Sequence, residues 1–310
     1  MLEKTGSNYT RGRVYFQYAI LVLRWRHHLH DTLEYFEAGA NLSLSAGDRI
    51  YTTFHRAYRL LILFGLSKSI SDVLYEAESA YEDINTWASS GESHLLIMCI
   101  IRGCKALQGR TYIDTSHVFD GDDGFNDVHF VKESWRETAN VDLALGWYYT
   151  FKLITQVLYE HHDAAIETGY VILDTVRHHD CQHYSRLMFC YFSLALVSKL
   201  RNVDLNDDLR IKYLDQLQQN QKLLIDFTTY SRINNAIFST FIEAEIIALG
   251  ESPDILKACR LYEDATSHAR EGGWFFHLCV IQEYAAAFYL RVGMKNVACG
   301  CIRKVIYMII

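Results

Sequence analysis

A single proline, Pro253, stands in a 310-residue chain whose apolar side chains recur at helical spacing almost from end to end. Proline sets turns and breaks helices, so loop-rich and strand-rich chains use many. A chain with only one is expected to be long helices joined by short turns. The spacing agrees. Tyr15, Ala19, Val22 and Trp25 share one helical face, and Leu29, Leu33, Phe36 and Ala40 line the next. Ile211, Leu214, Leu217 and Leu224 form a third stripe; Trp274, Leu278, Ile281, Ala285 and Phe288 form a fourth. Strict alternation over several residues is hard to find, so strands are not expected.

The breaks are regular. Ala46-Gly47-Asp48, Ser90-Gly91-Glu92 and Glu271-Gly272-Gly273 read as helix stops, with Asp48 and Ser93 as caps of the helices that follow. The spacing predicts helices near 12–28, 30–46, 49–65, 68–87, 92–108, 140–160, 162–178, 182–200, 208–226, 230–249, 254–271, 274–292 and 294–308. Helix–turn–helix units return about every 40 residues, the period of an α-solenoid of antiparallel pairs. Internal similarity points the same way. Thr32-Leu-Glu-Tyr-Phe36-Glu37-Ala-Gly39 resembles Ala258-Cys-Arg-Leu-Tyr262-Glu263-Asp-Ala265, with small residues bracketing an aromatic as in tetratricopeptide repeats. The fold expected is all-α, with repeats at 12–108 and 140–308. Residues 109–139, which hold Asp120-Gly-Asp-Asp-Gly124 and no sustained stripe, read as a connector loop.

Composition excludes several functions. Half of the residues are hydrophobic and 22% are charged, which is ordinary for a folded chain. A net charge of -7 argues against a nucleic-acid surface, which needs clustered Lys and Arg. The eight cysteines include no C-x-x-C pair and lie mostly in apolar helical stretches, as expected of free thiols in a reducing, cytoplasmic setting. Val14–Leu23 follows Arg11 and Arg13 as the apolar run of a signal peptide follows its basic residues. Gln17 interrupts it, however, and Arg24-Trp-Arg-His-His28 stands where a small-residue cleavage site belongs. No apolar stretch reaches the roughly 18 residues of a membrane span.

Three segments go beyond general repeat character. They are Arg24-Trp-Arg-His-His-Leu-His-Asp-Thr-Leu-Glu-Tyr-Phe-Glu-Ala-Gly-Ala40; Phe119-Asp120 followed by Asn140-Val-Asp-Leu-Ala-Leu-Gly-Trp-Tyr-Tyr-Thr-Phe-Lys152; and Ala269 to Gly293, containing Gly272-Gly-Trp-Phe-Phe-His277 and Gln282-Glu-Tyr-Ala-Ala-Ala-Phe288. In this order they resemble the tetratricopeptide-like repeat region of multi-domain sensor histidine kinases. Those proteins join a kinase-like module, an AAA-type nucleotidase, helical repeats, a GAF domain and a histidine kinase; they include the fungal peroxide-sensing type and bacterial relatives. The resemblance spans roughly residues 12–308. It implies a regulatory scaffold segment that contacts flanking domains of a parent kinase or a protein partner, with no nucleic acid and no membrane. The alternative is a free-standing adaptor that binds a peptide in the groove of the array. The family's phospho-accepting His motif and nucleotide loops are missing: there is no G-x-x-x-x-G-K-[ST] and no kinase glycine loop with its partners. No catalytic, cofactor-binding or metal site is expected. The apolar ending Ile302-Arg-Lys-Val-Ile-Tyr-Met-Ile-Ile310 suggests a fragment whose last helix, with Val297, Ile302, Val305, Ile306 and Ile309, exposes an apolar patch.

His178-His179-Asp180-Cys181-Gln-His183 has two histidines four apart beside a thiol, a metal-ligand spacing. It also falls at an expected turn, where polar residues gather. His161-His162-Asp163 and His27-His28-Leu-His30-Asp31 occupy similar turns. Asp120-Gly-Asp122-Asp123-Gly124 begins like a calcium loop, but Phe125 holds the sixth place and Val131 the twelfth, where Gly and Glu are required. Asp204, Asp207 and Asp208 have no second acidic motif to share a magnesium ion with. Trp147, Tyr148 and Tyr149 are consecutive and so point around a helix, mostly into packing.

Overall fold

A computed structural model describes residues 6–87, 91–136, 141–176, 184–201, 205–250 and 253–309. Among these the chain is all helical, with fourteen rods packed mainly on their sequence neighbours. The first rod is α1 (Asn8–Tyr18), a π turn (Ala19–Leu23) and α2 (Arg24–Arg26) in succession. A short 3-10 turn, Leu29–Asp31, leads into α3 (Thr32–Ser45). There follow α4 (Arg49–Leu66), α5 (Ile70–Trp87), α6 (Gly91–Leu107), α7 (Asp127–Arg136), α8 (Val141–Leu158), α9 (His162–Val176) and α10 (Tyr184–Leu200). The series ends with α11 (Asp207–Tyr230), α12 (Arg232–Ile247), α13 (Ile255–Glu271), α14 (Phe275–Arg291) and α15 (Lys295–Ile309).

The chain divides into two compact units, residues 1–64 with 70–185, and residues 65–69 with 186–310. In the first, α1 packs on α3, α5 on α6, α6 on α8 and α8 on α9. In the second, α11 through α15 pack in succession, each on the next. This is the neighbour-to-neighbour packing expected of helical repeats.

The repeat pattern in the sequence is a packing pattern. Thr32, Phe36 and Gly39 on α3 are buried, as are Ala258, Tyr262 and Ala265, the matching positions on α13. Small residues let the backbones approach, and the aromatic fills the space beyond. Burying each such side chain contributes about 2 kcal/mol. The approach is closest around His55 on α4. A side chain at Gly39 would come within 2.1 Å of the imidazole, and one at Gly12 on α1 within 2.3 Å of Ser43 Oγ. In that space the ring donates from Nε2 to the Gly12 carbonyl at 3.0 Å, with Phe16 edge-on at 5.3 Å.

The helix stops are as the sequence implied at two of three places. Gly47 and Gly273 take positive φ, 74° and 63°, and the next N–H reaches back to the last helical turn, Asp48 N to Ser43 O and Trp274 N to Ala269 O. Glu160 does the same work after α8 with φ 62°, without glycine's freedom. Gly91 differs: it opens α6 rather than ending a helix, and it is buried. Ser93 therefore lies inside the first turn of α6 and is no cap. Asp48 does cap α4, accepting from Tyr51 N–H at 3.4 Å while its other oxygen takes Arg13 Nε at 2.8 Å.

The stretch 109–139 also carries the helix α7, which apolar spacing alone did not reveal. Its buried face is short, Asp127, Val131 and Ser134, and Asp127 ties it to α8 through Tyr148 and Lys152. Val297 and Ile302 on α15 are 42% and 40% exposed; the side chains of Ile306 and Ile309 lie outside the described residues.

Replacing Gly39 with Ala should destabilise the fold by roughly 1–3 kcal/mol, because the buried ring has nowhere to withdraw to. Urea unfolding measures this, and an unchanged midpoint would refute the packing argument.

Candidate functional site

Three helices of the first unit, α3, α4 and α5, enclose an open groove of about 320 Å³. Residues four apart supply it, since they share a helix face. Phe36, Ala40, Leu60 and Ala80 make the apolar floor, and His55 stands among them. Glu37 and Asn41 rise from α3, and Tyr75, Ser79 and Asp83 from α5. Arg56 and Arg59 on α4 are bound to Asp83 and Glu76 on α5, and Arg56 also lies 5.5 Å from the centre of the Trp87 ring. These pairs are partly exposed, so each is worth about 1 kcal/mol or less. Their effect is to hold α5 in place and present alternating charge along one wall. Burial lowers the His55 pKa to about 4, against the opposing pull of the Gly12 carbonyl and Asp48, so the ring is neutral at pH 7. A groove with an apolar floor and paired charges on its wall can grip a protein segment. The sequence placed Phe36 and Ala40 on one helical face, but the rows Glu37–Asn41 and Tyr75–Ser79–Asp83 that complete the groove went unread.

The acidic loop is a clasp. Asp123 accepts from Arg102 Nη1 at 2.6 Å and Lys105 Nζ at 3.3 Å, and Asp122 accepts from Tyr112 Oη at 2.7 Å. Asp120 accepts the Asp127 N–H at 2.7 Å. Partial burial pushes Asp123 up, but Arg102 and Lys105 together outweigh it and leave the carboxyl below its usual range. Arg102, 1% exposed, also donates to the Phe119 carbonyl at 2.7 Å. Asp127, at the start of α7, takes Tyr148 Oη at 2.6 Å and Lys152 Nζ. Burial, then the Asp127 charge, raises the Tyr148 hydroxyl well above its usual pKa. The carboxylates of this loop thus serve internal cations and hydroxyls.

Other sequence candidates fall into structural roles. Trp147 and Tyr148 are core residues, with Tyr149 half-buried beside them. His161 donates from Nε2 to the Ile113 carbonyl at 2.7 Å and pins the same loop. His27 and His30 each lie 3.9 Å from Asp31 on the exposed turn before α3. Asp207 and Asp208 occupy the first turn of α11 behind the Asn206 cap, where negative charge suits the helix dipole. His178 to His183 and Asp204 lie outside the described residues. Among the described residues no group of three or more His, Cys, Asp or Glu is placed to hold a metal ion, and no helix is long and apolar enough to cross a membrane.

The second unit buries a carboxylate of its own. Glu245, 0% exposed, takes Arg201 Nη2 at 2.6 Å and a hydrogen bond from Tyr262. Nearby, His277 Nδ1 and Tyr191 Oη are hydrogen-bonded at 3.1 Å within a shell of Phe238, Trp274 and Phe276, and burial lowers the His277 pKa to about 3.

The fold defines an all-helical protein of repeat character. No protein-family model matches this chain, and no curated protein matches it.

Two measurements test these assignments. Replacing Arg102 with Met should cost about 3 kcal/mol, because it strands the Phe119 carbonyl and frees Asp123; a loss below 1 kcal/mol in chemical unfolding would contradict the clasp. The buried histidines set a pH dependence. Their folded pKa values lie below the unfolded value of about 6.5, so the unfolded chain binds protons first as pH falls. Stability is then full above pH 6.5 and declines down to about 4 for His55 and about 3 for His277. Between pH 7 and 5 the two together should remove roughly 4 kcal/mol, and a flat stability over that range would be the contrary result.

Proposed function

We propose that this chain is a non-catalytic helical-repeat scaffold, the regulatory repeat segment of a signal-transducing sensor histidine kinase, which passes conformational change between flanking modules by protein–protein contact. The observation that carries the reading is the shared small–aromatic–small face buried in α3 and α13, the packing device of tetratricopeptide-like repeats. The three segments that resemble the sensor-kinase repeat region support the finer assignment. Each contributes large side chains to a core: Phe36 from the first, Trp147 from the second, Trp274 and Phe288 from the third. A second reading, a free-standing cytoplasmic adaptor, is favoured by the groove between α3 and α5, whose floor and paired charges suit an extended segment. Fold alone does not choose between the two.

Both readings have no phosphate chemistry, since no nucleotide loop is present in the sequence. Purified chain incubated with γ-labelled ATP is expected to take up no label and release no phosphate above a blank; reproducible labelling of any histidine would overturn the proposal. The transcript separates the readings. In-frame nucleotidase and kinase modules are expected beside this segment, and a transcript encoding these repeats alone would leave the adaptor.

A further inference from the structure

The groove between α3, α4 and α5 has at its floor a polar atom that no group of the protein satisfies. His55 lines the groove and is 0% exposed. Its Nε2 is committed to the Gly12 carbonyl of α1, a helix that takes no part in the groove. A carbonyl oxygen only accepts, so Nε2 carries the ring's proton and Nδ1 keeps a lone pair. Burial holds the ring neutral at pH 7, so no second proton occupies that lone pair. Nδ1 is buried and has no hydrogen-bond partner. An unmet buried acceptor is costly, and what it lacks is an N–H or O–H donor.

The rim says what kind of donor fits. Arg56 is bound to Asp83 and Arg59 to Glu76, so the two bases of the groove are matched by two of its three carboxylates. Glu37 is the third. It is exposed, it forms no ion pair among the described residues, and it leaves the groove one negative charge in excess. Tyr75, 76% exposed on the opposite wall, offers a ring face to a cation. The occupant is therefore positively charged and rich in donors, with an apolar stem for Phe36, Ala40 and Leu60. A guanidinium meets these terms better than an ammonium. It is weakly hydrated, so it enters an apolar-floored cleft at less cost, and its planar fork can pair with a carboxylate and still have N–H groups to spare.

We propose that the groove takes an arginine side chain from an extended segment of a partner protein, its guanidinium paired with Glu37 and donating to His55 Nδ1 at the floor. The inference rests on the adaptor reading of this groove and specifies what the groove selects. A single side chain seated in about 320 Å³ is a small contact, so a short isolated segment binds weakly.

The probe is the end-blocked peptide Ala-Ala-Arg-Ala-Ala, titrated to about 10 mM into the full chain and followed by nitrogen NMR of the imidazoles, since contacts of this size give millimolar constants. Saturable binding that moves the His55 Nδ1 resonance is expected. Peptides with lysine or norleucine in place of arginine should bind about tenfold more weakly or worse. Glu37→Gln keeps the shape of an exposed side chain and should weaken the arginine peptide about tenfold or more. Glu34→Gln removes the same charge from the same helix outside the groove and should leave binding unchanged; circular dichroism checks that both variants fold. A norleucine peptide that binds as tightly as the arginine peptide would overturn the proposal while leaving the groove a peptide site, and so would an equal lysine peptide. Binding by none of the peptides would overturn the proposal and the adaptor reading together. An unmoved His55 resonance, equal losses in the two variants, or free propylguanidine binding as tightly as the peptide would each refute the docking of an arginine-bearing segment on Glu37 and His55.

Discussion

The imidazole of His55 occupies a space that exists because residue 39 has no side chain, and α1 lies against Ser43 of α3 because residue 12 has none. That arrangement sets how closely α1, α3 and α4 lie, and so where Phe36, Ala40 and Leu60 emerge as the floor of the groove. The ring is kept neutral by its burial, with one nitrogen committed to the Gly12 carbonyl. A larger residue at either glycine would separate the helices, and a charged ring would have to be solvated in an apolar shell. The groove geometry therefore rests on two absent side chains and one desolvated base.

The same principle governs the polar groups elsewhere. Arg102, Asp127 and Glu245 are buried, and each is matched by a partner of opposite charge and a second hydrogen bond from or to a neutral group. Breaking one partner leaves an uncompensated buried charge, which costs far more than the pair contributes. Such groups act as registration pins. Arg102 fixes where the irregular segment crosses α6, Asp127 fixes α7 against α8, and Glu245 joins α12 to α13 and to Arg201 at the end of α10. Apolar contacts between neighbouring helices permit sliding; these bonds do not.

The two surfaces of interest share a physical origin. On the groove, residues four apart from three helices converge above an apolar floor. On the first rod, Tyr9, Arg13, Gln17 and Leu21 recur four apart into the π turn and line one shallow surface. One surface is dominated by paired charge and the other by exposed tyrosine, leucine and valine beside arginine, so they suit different partners.

Helical content, helix order and most boundaries were legible in the sequence because the 3.6-residue period and glycine stops are local properties of the chain. Thr32–Phe36–Gly39 and its echo Ala258–Tyr262–Ala265 were legible for the same reason, since small and aromatic residues announce close packing. The helix α7 was not, because bonds from Tyr148, Lys152 and the Asp120 carboxylate hold it, and those partners are set by tertiary position. Gly91 was misread because a buried glycine at a helix start and an exposed one at a helix end look alike in sequence. The acidic loop lacks the Gly and Glu that calcium-loop spacing requires and reads in sequence as a solvated loop, yet only the structure reveals that its charges serve Arg102 and Lys105. Local periodicity decides what each segment is. Which polar groups meet, and which faces remain open, depends on residues far apart in the chain, and tertiary structure alone brings those together.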